Sequence, residues 1–471
     1  MWKLVAIVLL AASPMIAWGH GFEPESDPDG AKAVAAPPRT PAGEQLAWVI
    51  ESLNGGPVGN PADRFTPRFL EQVPPAQVKE VLTTLRQQAF GGAKVELVGE
   101  DGAATDTSLS VVIRGRGTTR QLNVFLAVDE KTHKIGGLLF SPAGGVEIGD
   151  VGDWDAFAGK LGELAGGVNF GCYEIVLADA ADPNGPTRLV PIYEFREHLR
   201  LALGSTFKLW VLLTLAERIA AGEMTWETSL PVREEWKSLP SGVTQLQPAG
   251  FEMTLADHGA KMISISDNTA TDHLIRHLGR EAVEATMDRF VRDGGPGSPF
   301  LTTREIFTIK LAADRTLPER YAAADEATRR AMIAPDGEVG VGGPNLLLAA
   351  AWAKPVEIER VEWFATPEEI CRTFAAIHRL EGEPGMEPLS RAIRINPGVP
   401  LDAAAWKSVA FKGGSEPGVL NLTFLMERAD GRWFTLSAGW NNPEKAVEEA
   451  RLIALVRAGV KILEKHEAEA E

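Results

Sequence analysis

Apolar positions along this chain change their spacing several times, and each change marks a boundary. Residues 4–17 are an almost unbroken apolar run behind a short positive start, Met1-Trp2-Lys3, and before the small-x-small triplet Ala17-Trp18-Gly19. That order predicts a cleaved export signal over residues 1–19, because the run is shorter than the roughly 20 apolar residues of a membrane span. No cysteine lies near the cleavage site to accept a lipid, and no later run is long enough to cross a membrane. Residues 20–43, rich in Pro, Ala, Asp and Glu, have no apolar period and predict a flexible linker.

From Glu44 the spacing becomes helical. Residues 45–50 open one amphipathic helix and residues 75–82 another, the latter with Pro75 in the first turn, where a missing N–H costs little. The period then drops to two in three runs, 95–98, 109–113 and 122–128, separated by Gly and Asp. Helices followed by a meander predict a small α+β domain with a curved sheet over residues 44–148. Its histidine, His133, sits in a polar turn and carries no chemistry, so the domain is assigned packing, gating or binding.

The Gly- and acid-rich stretch 144–153 breaks the pattern again. A second domain over 152–467 reads as a helix at 154–164, a strand at 168–178 and a long helical region from 205 to about 279. Helices at 280–290 and 368–379 follow, then strands at 409–411, 419–427 and 433–439, the last two joined by an Asp430-Gly431 turn. A helix over 443–465 ends the domain. The whole is expected to be α+β, with helices packed on an antiparallel sheet.

Composition narrows the function. A net charge of −17 is a poor match for nucleic acid or an anionic membrane surface. Cys172 and Cys371 form no disulfide framework or zinc motif and are expected to be separate buried thiols, with one bridge as the alternative. His273 and His277 are four apart but have no third ligand nearby, so no metal or cofactor is expected. Trp406, Trp433 and Trp440 are assigned to core rather than cleft.

The chemistry lies in three short pieces. In Gly204-Ser205-Thr206-Phe207-Lys208, spacing of three puts a serine and a lysine on one face at a helix start. The following residues 209–215 are apolar except for Thr214, which predicts a buried helix and hence a lysine whose charge is disfavoured by desolvation and by the helix dipole. A neutral lysine is a general base for the hydroxyl beside it, and the Ser205 N–H is available to an oxyanion. Ser266-Asp267-Asn268 follows a capping-box-like Thr254-Leu255-Ala256-Asp257: Ser266 can relay a proton, Asn268 can bind a substrate carbonyl, and Asp267 braces the turn. Lys412-Gly413-Gly414-Ser415 follows the short strand 409–411: the lysine attracts a carboxylate or polarises Ser266, the glycines allow close approach, and the Ser415 N–H is a second oxyanion donor. No Gly-x-Ser-x-Gly elbow surrounds Ser205.

In this order, the three pieces resemble the signature of the penicillin-recognising serine hydrolases, the class A β-lactamases and penicillin-binding proteins. The likeness covers about residues 152–467. The preceding α+β domain is similar to that of two-domain hydrolases related to one from clavulanate biosynthesis, which implies a steroid-isomerase-like domain before the lactamase-like one. The resemblance implies catalytic roles for Ser205, Lys208, Ser266 and Lys412, and substrate contacts for Asn268, Gly413, Gly414 and Ser415. Two departures stand out. Gly413 replaces the usual threonine. The segment 294–299 before Thr302-Thr303-Arg304-Glu305 lacks the carboxylate that activates water in class A enzymes, and Glu305 reads as a first-turn helix residue. The expectation is an exported serine hydrolase, periplasmic or secreted, that acylates Ser205 with a β-lactam, ester or amide and deacylates slowly. The alternatives are a D-Ala-D-Ala carboxypeptidase-like enzyme, or an acylated sensor that does not turn over.

Overall fold

The computed structural model describes residues 36–73, 75–100, 106–118, 121–142, 148–177, 187–291, 297–343, 352–399, 401–402 and 404–467. The expected export signal and most of the expected linker lie outside these residues. The chain divides into two compact units, with the main change at Glu147/Ile148.

The smaller unit begins with four helices, α1 (Pro41–Leu53), α2 (Pro61–Arg64), α3 (Pro67–Gln72) and α4 (Pro75–Thr84). Each opens on a proline, and the side chains of Thr40, Asn60 and Thr66 cap the first three. The linker therefore ends earlier than expected: helix starts at Pro41, with Ala42 and Gly43 already buried. Four antiparallel strands follow in sequence order, β1 (Val95–Glu100), β2 (Ser108–Gly115), β3 (Gln121–Val128) and β4 (Ile135–Pro142). Leu122, Val124, Leu126 and Val128 alternate into the core, so period two carried that strand. The sequence reading missed β4, whose Gly136-Gly137 pair and terminal Pro142 dilute the strand signal.

The larger unit places helix α5 (Trp154–Gly162) before β5 (Gly167–Leu177), β6 (Thr187–Phe195) and the short β7 (Leu201–Ala202). The main sheet runs β6-β5-β11-β10-β9, antiparallel throughout, with β9 (Trp406–Glu416), β10 (Val419–Arg428) and β11 (Trp433–Asn441) from the far end of the chain. β6 was missed because Pro191 interrupts it; an outer strand is where a sheet tolerates proline. Between β7 and β9 come α6 (Lys208–Ala220), α7 (Leu255–Ser264), α8 (Asn268–Leu278), α9 (Arg280–Asp288), α10 (Thr303–Lys310), α11 (Leu317–Ala323), α12 (Glu326–Ile333), β8 (Phe364–Ala365), α13 (Pro367–Glu381) and α14 (Glu387–Arg394); α15 (Glu449–Glu464) closes the chain. No helix among the described residues is long and apolar enough to cross a membrane.

Two expectations are corrected here. The helical region over 205–279 is three helices, not one: residues 221–254 hold only two short 3-10 turns, and Leu239-Pro240-Ser241-Gly242 prevents continuous helix. Residues 412–415 do not follow a short strand. They lie inside β9, which runs to Glu416. Helix α6 is apolar on every side, with Leu209 to Ala216 all buried, as the run of apolar residues required. Cys172 and Cys371 are free and buried. Trp406 and Trp440 are buried, and Trp433 packs against the core.

Two histidines in this core are held neutral. Nε2 of His258 lies 2.9 Å from the Leu230 carbonyl, which can only accept, so Nε2 carries the proton. His273 donates from Nδ1 to Thr269 O and accepts the Arg233 N–H at Nε2. The rings stack at 5.4 Å. Burial pushes His258 down to about 4 from 6.5, against its bond to Leu230. The unfolded chain thus takes up a proton near pH 6.5 and the folded chain only near pH 4. The stability this confers is complete above about pH 6.5 and is lost as pH falls toward 4. Between pH 7 and 5 the loss is about 2 kcal/mol. The drop in melting temperature over that interval is expected to shrink in His258→Gln, which keeps a donor for Leu230; equal drops in both proteins would refute the assignment.

Candidate active site

Ser205 is not at the first turn of an α-helix but in a 3-10 turn, Gly204–Phe207, that feeds α6 at Lys208. Gly204 takes φ 49°, a left-handed value that glycine adopts at no steric cost. The turn leaves Ser205 partly exposed and Lys208 fully buried.

Lys208 Nζ has four polar neighbours. It donates to Ser266 O and to Asn268 Oδ1, both at 2.7 Å. The hydroxyls of Ser205 and Ser266 lie at 3.1 and 3.0 Å. The first two partners can only accept, since Asn268 directs its Nδ2 to Leu239 O. A neutral amine has two N–H bonds and one lone pair. With both N–H bonds taken by acceptors, the lone pair faces the two hydroxyls. Burial pushes Lys208 down to about 7 from 10.5, opposed by Asp267 and then Asp272. The lysine is therefore poised to be uncharged near neutral pH.

Ser266 has φ 57°, a strained value for a side chain other than glycine. Asp267 fixes it from behind. One carboxylate oxygen accepts from Val243 N–H, Thr244 N–H and Thr244 Oγ1 at 2.7 to 2.8 Å; the other caps α8 at Ala270. Gly242 is glycine for space, since a Cβ there would stand 2.2 Å from the Asp267 carboxyl carbon. Ser241 completes the brace, donating to Ser266 O and accepting the Asn268 N–H. Residues 238–244 were hidden inside the expected long helix; the Pro-Ser-Gly punctuation was the signal for them.

Lys412 reaches from β9 to the same hydroxyl, with Nζ 3.2 Å from Ser266 Oγ and bonded to Gly413 O. Burial, with Lys208 nearby, holds it well below the usual lysine range. A Cβ at Gly413 would lie 2.6 Å from the tip of the Phe411 ring, so a side chain there requires that ring to shift. At Gly414 a Cβ would lie 2.1 Å from Leu203 O and 2.3 Å from Ser205 N, and one at Gly204 would lie 2.9 Å from Ser415 N. The bare backbones thus press together and bring the Ser205 and Ser415 amides side by side. All eight residues singled out from the sequence meet at this place: Ser205, Lys208, Ser266, Asn268, Lys412, Gly413, Gly414 and Ser415.

Glu305 is elsewhere engaged. It closes the capping box of α10 with Thr302 and is gripped by Arg280 at 2.7 and 2.9 Å. Among the described residues no group of His, Cys, Asp and Glu is arranged to hold a metal ion. His273 spends both ring nitrogens on backbone.

Residues 190–312 match the sequence profile of the Beta-lactamase enzyme family, and residues 37–130 match that of the ORF 12 gene product N-terminal region. Similar solved structures include the β-lactamase from Sphaerobacter thermophilus DSM 20745, at 18% identity over 66% of this chain and 96% of that one, TM-score 0.44. They also include a mutant of PBP-A, an acyl-enzyme complex with penicillin G, at 13% identity over 66% and 96%, TM-score 0.43. A class A β-lactamase from Bacteroides cellulosilyticus DSM 14838 has 15% identity over 66% and 94%, TM-score 0.43. No curated protein sequence matches the chain.

The close approach of β9 to the turn of Ser205 yields a test. Gly414→Ala should force the Ser205 and Ser415 amides apart and slow covalent labelling of Ser205 by a fluorophosphonate by about 10²–10³-fold, the usual effect of losing one oxyanion donor. Labelling at the wild-type rate would show that the two amides do not act together.

Proposed function

We propose that this β-lactamase-like chain is an exported serine hydrolase that works by acyl transfer through Ser205. The observation that carries the reading is the amine of a fully buried lysine, Lys208, 3.1 Å from the partly exposed Ser205 hydroxyl. Neutral Lys208 takes the Ser205 proton as Oγ attacks a carbonyl carbon. The carbonyl oxygen, now negative, is held by the Ser205 and Ser415 N–H groups. The proton then passes from Lys208 through Ser266 Oγ, with Lys412 on its other side, to the departing nitrogen or oxygen. The bond to the leaving group breaks and Ser205 carries the acyl group. Asn268 holds Lys208 through Oδ1 and is itself tied to Leu239 O through Nδ2. The acyl donors in view are β-lactams, esters and cell-wall peptides.

The second step is less well equipped. Glu305 is locked to Arg280, and among the described residues we assign the activation of water to Lys208. A dedicated base contributes about 10²–10⁴-fold, so release is expected to be slower than acylation by a comparable factor. The same observation favours a second reading, an envelope protein that is acylated by β-lactams and stays so.

Ser205→Ala should abolish labelling by a fluorophosphonate or a penicillin probe while leaving thermal unfolding nearly unchanged; adduct on another serine would overturn the nucleophile. With a chromogenic cephalosporin, pre-steady-state kinetics should give one fast equivalent of product and then slow turnover, and linear turnover without a burst would require another base. Protein recovered from the native envelope should begin at or near His20, an assignment that recovery of folded cytoplasmic protein with Met1 intact would reject.

A further inference from the structure

Beneath the site lies a buried carboxylate that the acyl-transfer chemistry does not use. Asp272 is one turn beyond Asn268 on α8, on the same face, and is 1% exposed. One oxygen accepts from Thr303 N–H at 2.7 Å and lies 2.8 Å from Thr303 Oγ1, while the other accepts the Arg304 N–H at 2.8 Å. Thr303 Oγ1 is also 3.3 Å from Asn268 O and 2.8 Å from Ser238 Oγ. Asn268 is in turn the side-chain acceptor of Lys208. An unbroken chain of contacts therefore runs from Asp272 through Thr303 and Asn268 to the base.

We propose that Asp272 is a positioning residue for the acyl-transfer site: a counter-charge fixed at the start of α10, whose state of ionisation governs how firmly Lys208 keeps its proton. The proposal rests on the reading of Ser205 and Lys208 as nucleophile and base. A hydroxyl has one hydrogen, and Thr303 must choose where to place it. With Asp272 ionised, the hydrogen points to the carboxylate. With Asp272 protonated, the acid donates to Thr303 Oγ1 and the threonine hydrogen is released toward Ser238 Oγ at 2.8 Å or Asn268 O at 3.3 Å.

The electrostatics run the same way. Burial raises Asp272 to about 7, opposed by the Arg304 and Thr303 donors and reinforced by Glu305. Burial lowers Lys208 to about 7 as well. Burial thus brings the two groups toward the same range from opposite sides, and a negative charge on Asp272 favours the charged form of Lys208. The other charged or titratable groups facing Asp272 are each otherwise engaged. Asp267 also favours charged Lys208, more strongly than Asp272 does, and is held by hydrogen bonds that neither variant below removes; Glu305 is paired with Arg280. The Arg304 guanidinium binds Lys237 O and Gly342 O, His273 is neutral, and Lys412 faces Ser266.

The test is the pH dependence of Ser205 labelling by a fluorophosphonate on the full chain. The rate should rise as Lys208 loses its proton. Removing the negative charge in Asp272→Asn should let Lys208 lose that proton more easily, moving the acid limb to lower pH by about half a unit or more, with the alkaline plateau within about threefold of wild type. Thr303→Val removes a donor that favours ionised Asp272, so its limb should move the same way by less. An acid limb in Asp272→Asn that stays put or moves upward overturns the proposal. If circular dichroism shows that variant unfolded, a Thr303→Val profile superimposable on wild type does so instead. Failure of the wild type to label at Ser205 would count against the acyl-transfer reading itself.

Discussion

The site depends on one electrostatic constraint: a lysine amine buried where its charge is poorly solvated, between acceptors that fix its orientation. Lys208 has Ser266 O and Asn268 Oδ1 as its close acceptors, and burial lowers its proton affinity toward neutrality. An exposed lysine at the same place would be charged and hydrated at pH 7, and useless as a base. Burial therefore has to be secured before chemistry is available. The apolar stretch of α6 supplies it by embedding the helix in the main core from Leu209 to Ala216. The same helix that follows the turn of Ser205 also buries Lys208 away from water.

Shape does the rest. The amides of Ser205 and Ser415 come from elements more than two hundred residues apart, and only the absence of side chains at Gly204 and Gly414 lets the two backbones meet. The third element, the strained Ser266, is held by an aspartate that satisfies three backbone amides and a threonine hydroxyl. Strain at Ser266 and a buried carboxylate at Asp267 are features that a core selected for stability alone would avoid. Their joint presence beside a lowered-pKa lysine is the usual mark of a site organised for reaction.

Much of this was legible in the sequence, for reasons that differ by element. Strands β3, β10 and β11 announced themselves through period and turn residues, and the motifs around Ser205, Ser266 and Lys412 through residue type and spacing. What the sequence concealed was long-range or punctuated. β6 contains Pro191, β4 carries a double glycine, and residues 221–254 have enough apolar residues to mimic helix while being folded irregularly around Asp267. β9 appeared shorter than it is because Lys412-Gly413-Gly414-Ser415 looks like a turn; only pairing with residues 420–423 of β10 makes it strand. Asp272 gave no signal, since its importance lies in meeting Thr303 and Arg304 from another helix.

The two outer strands of the main sheet end it in different ways. On β6, Pro191 has no N–H to offer a further strand. On β9, the backbone at Gly414 is pressed against the turn that carries Ser205. A β-sheet normally exposes a row of unpaired groups at each margin, and a crowded solution offers many chains to fill them. Here one margin carries a proline and the other meets the turn of Ser205 near its end. The turn that places Ser205 thus also occupies part of the sheet's margin, at Gly414.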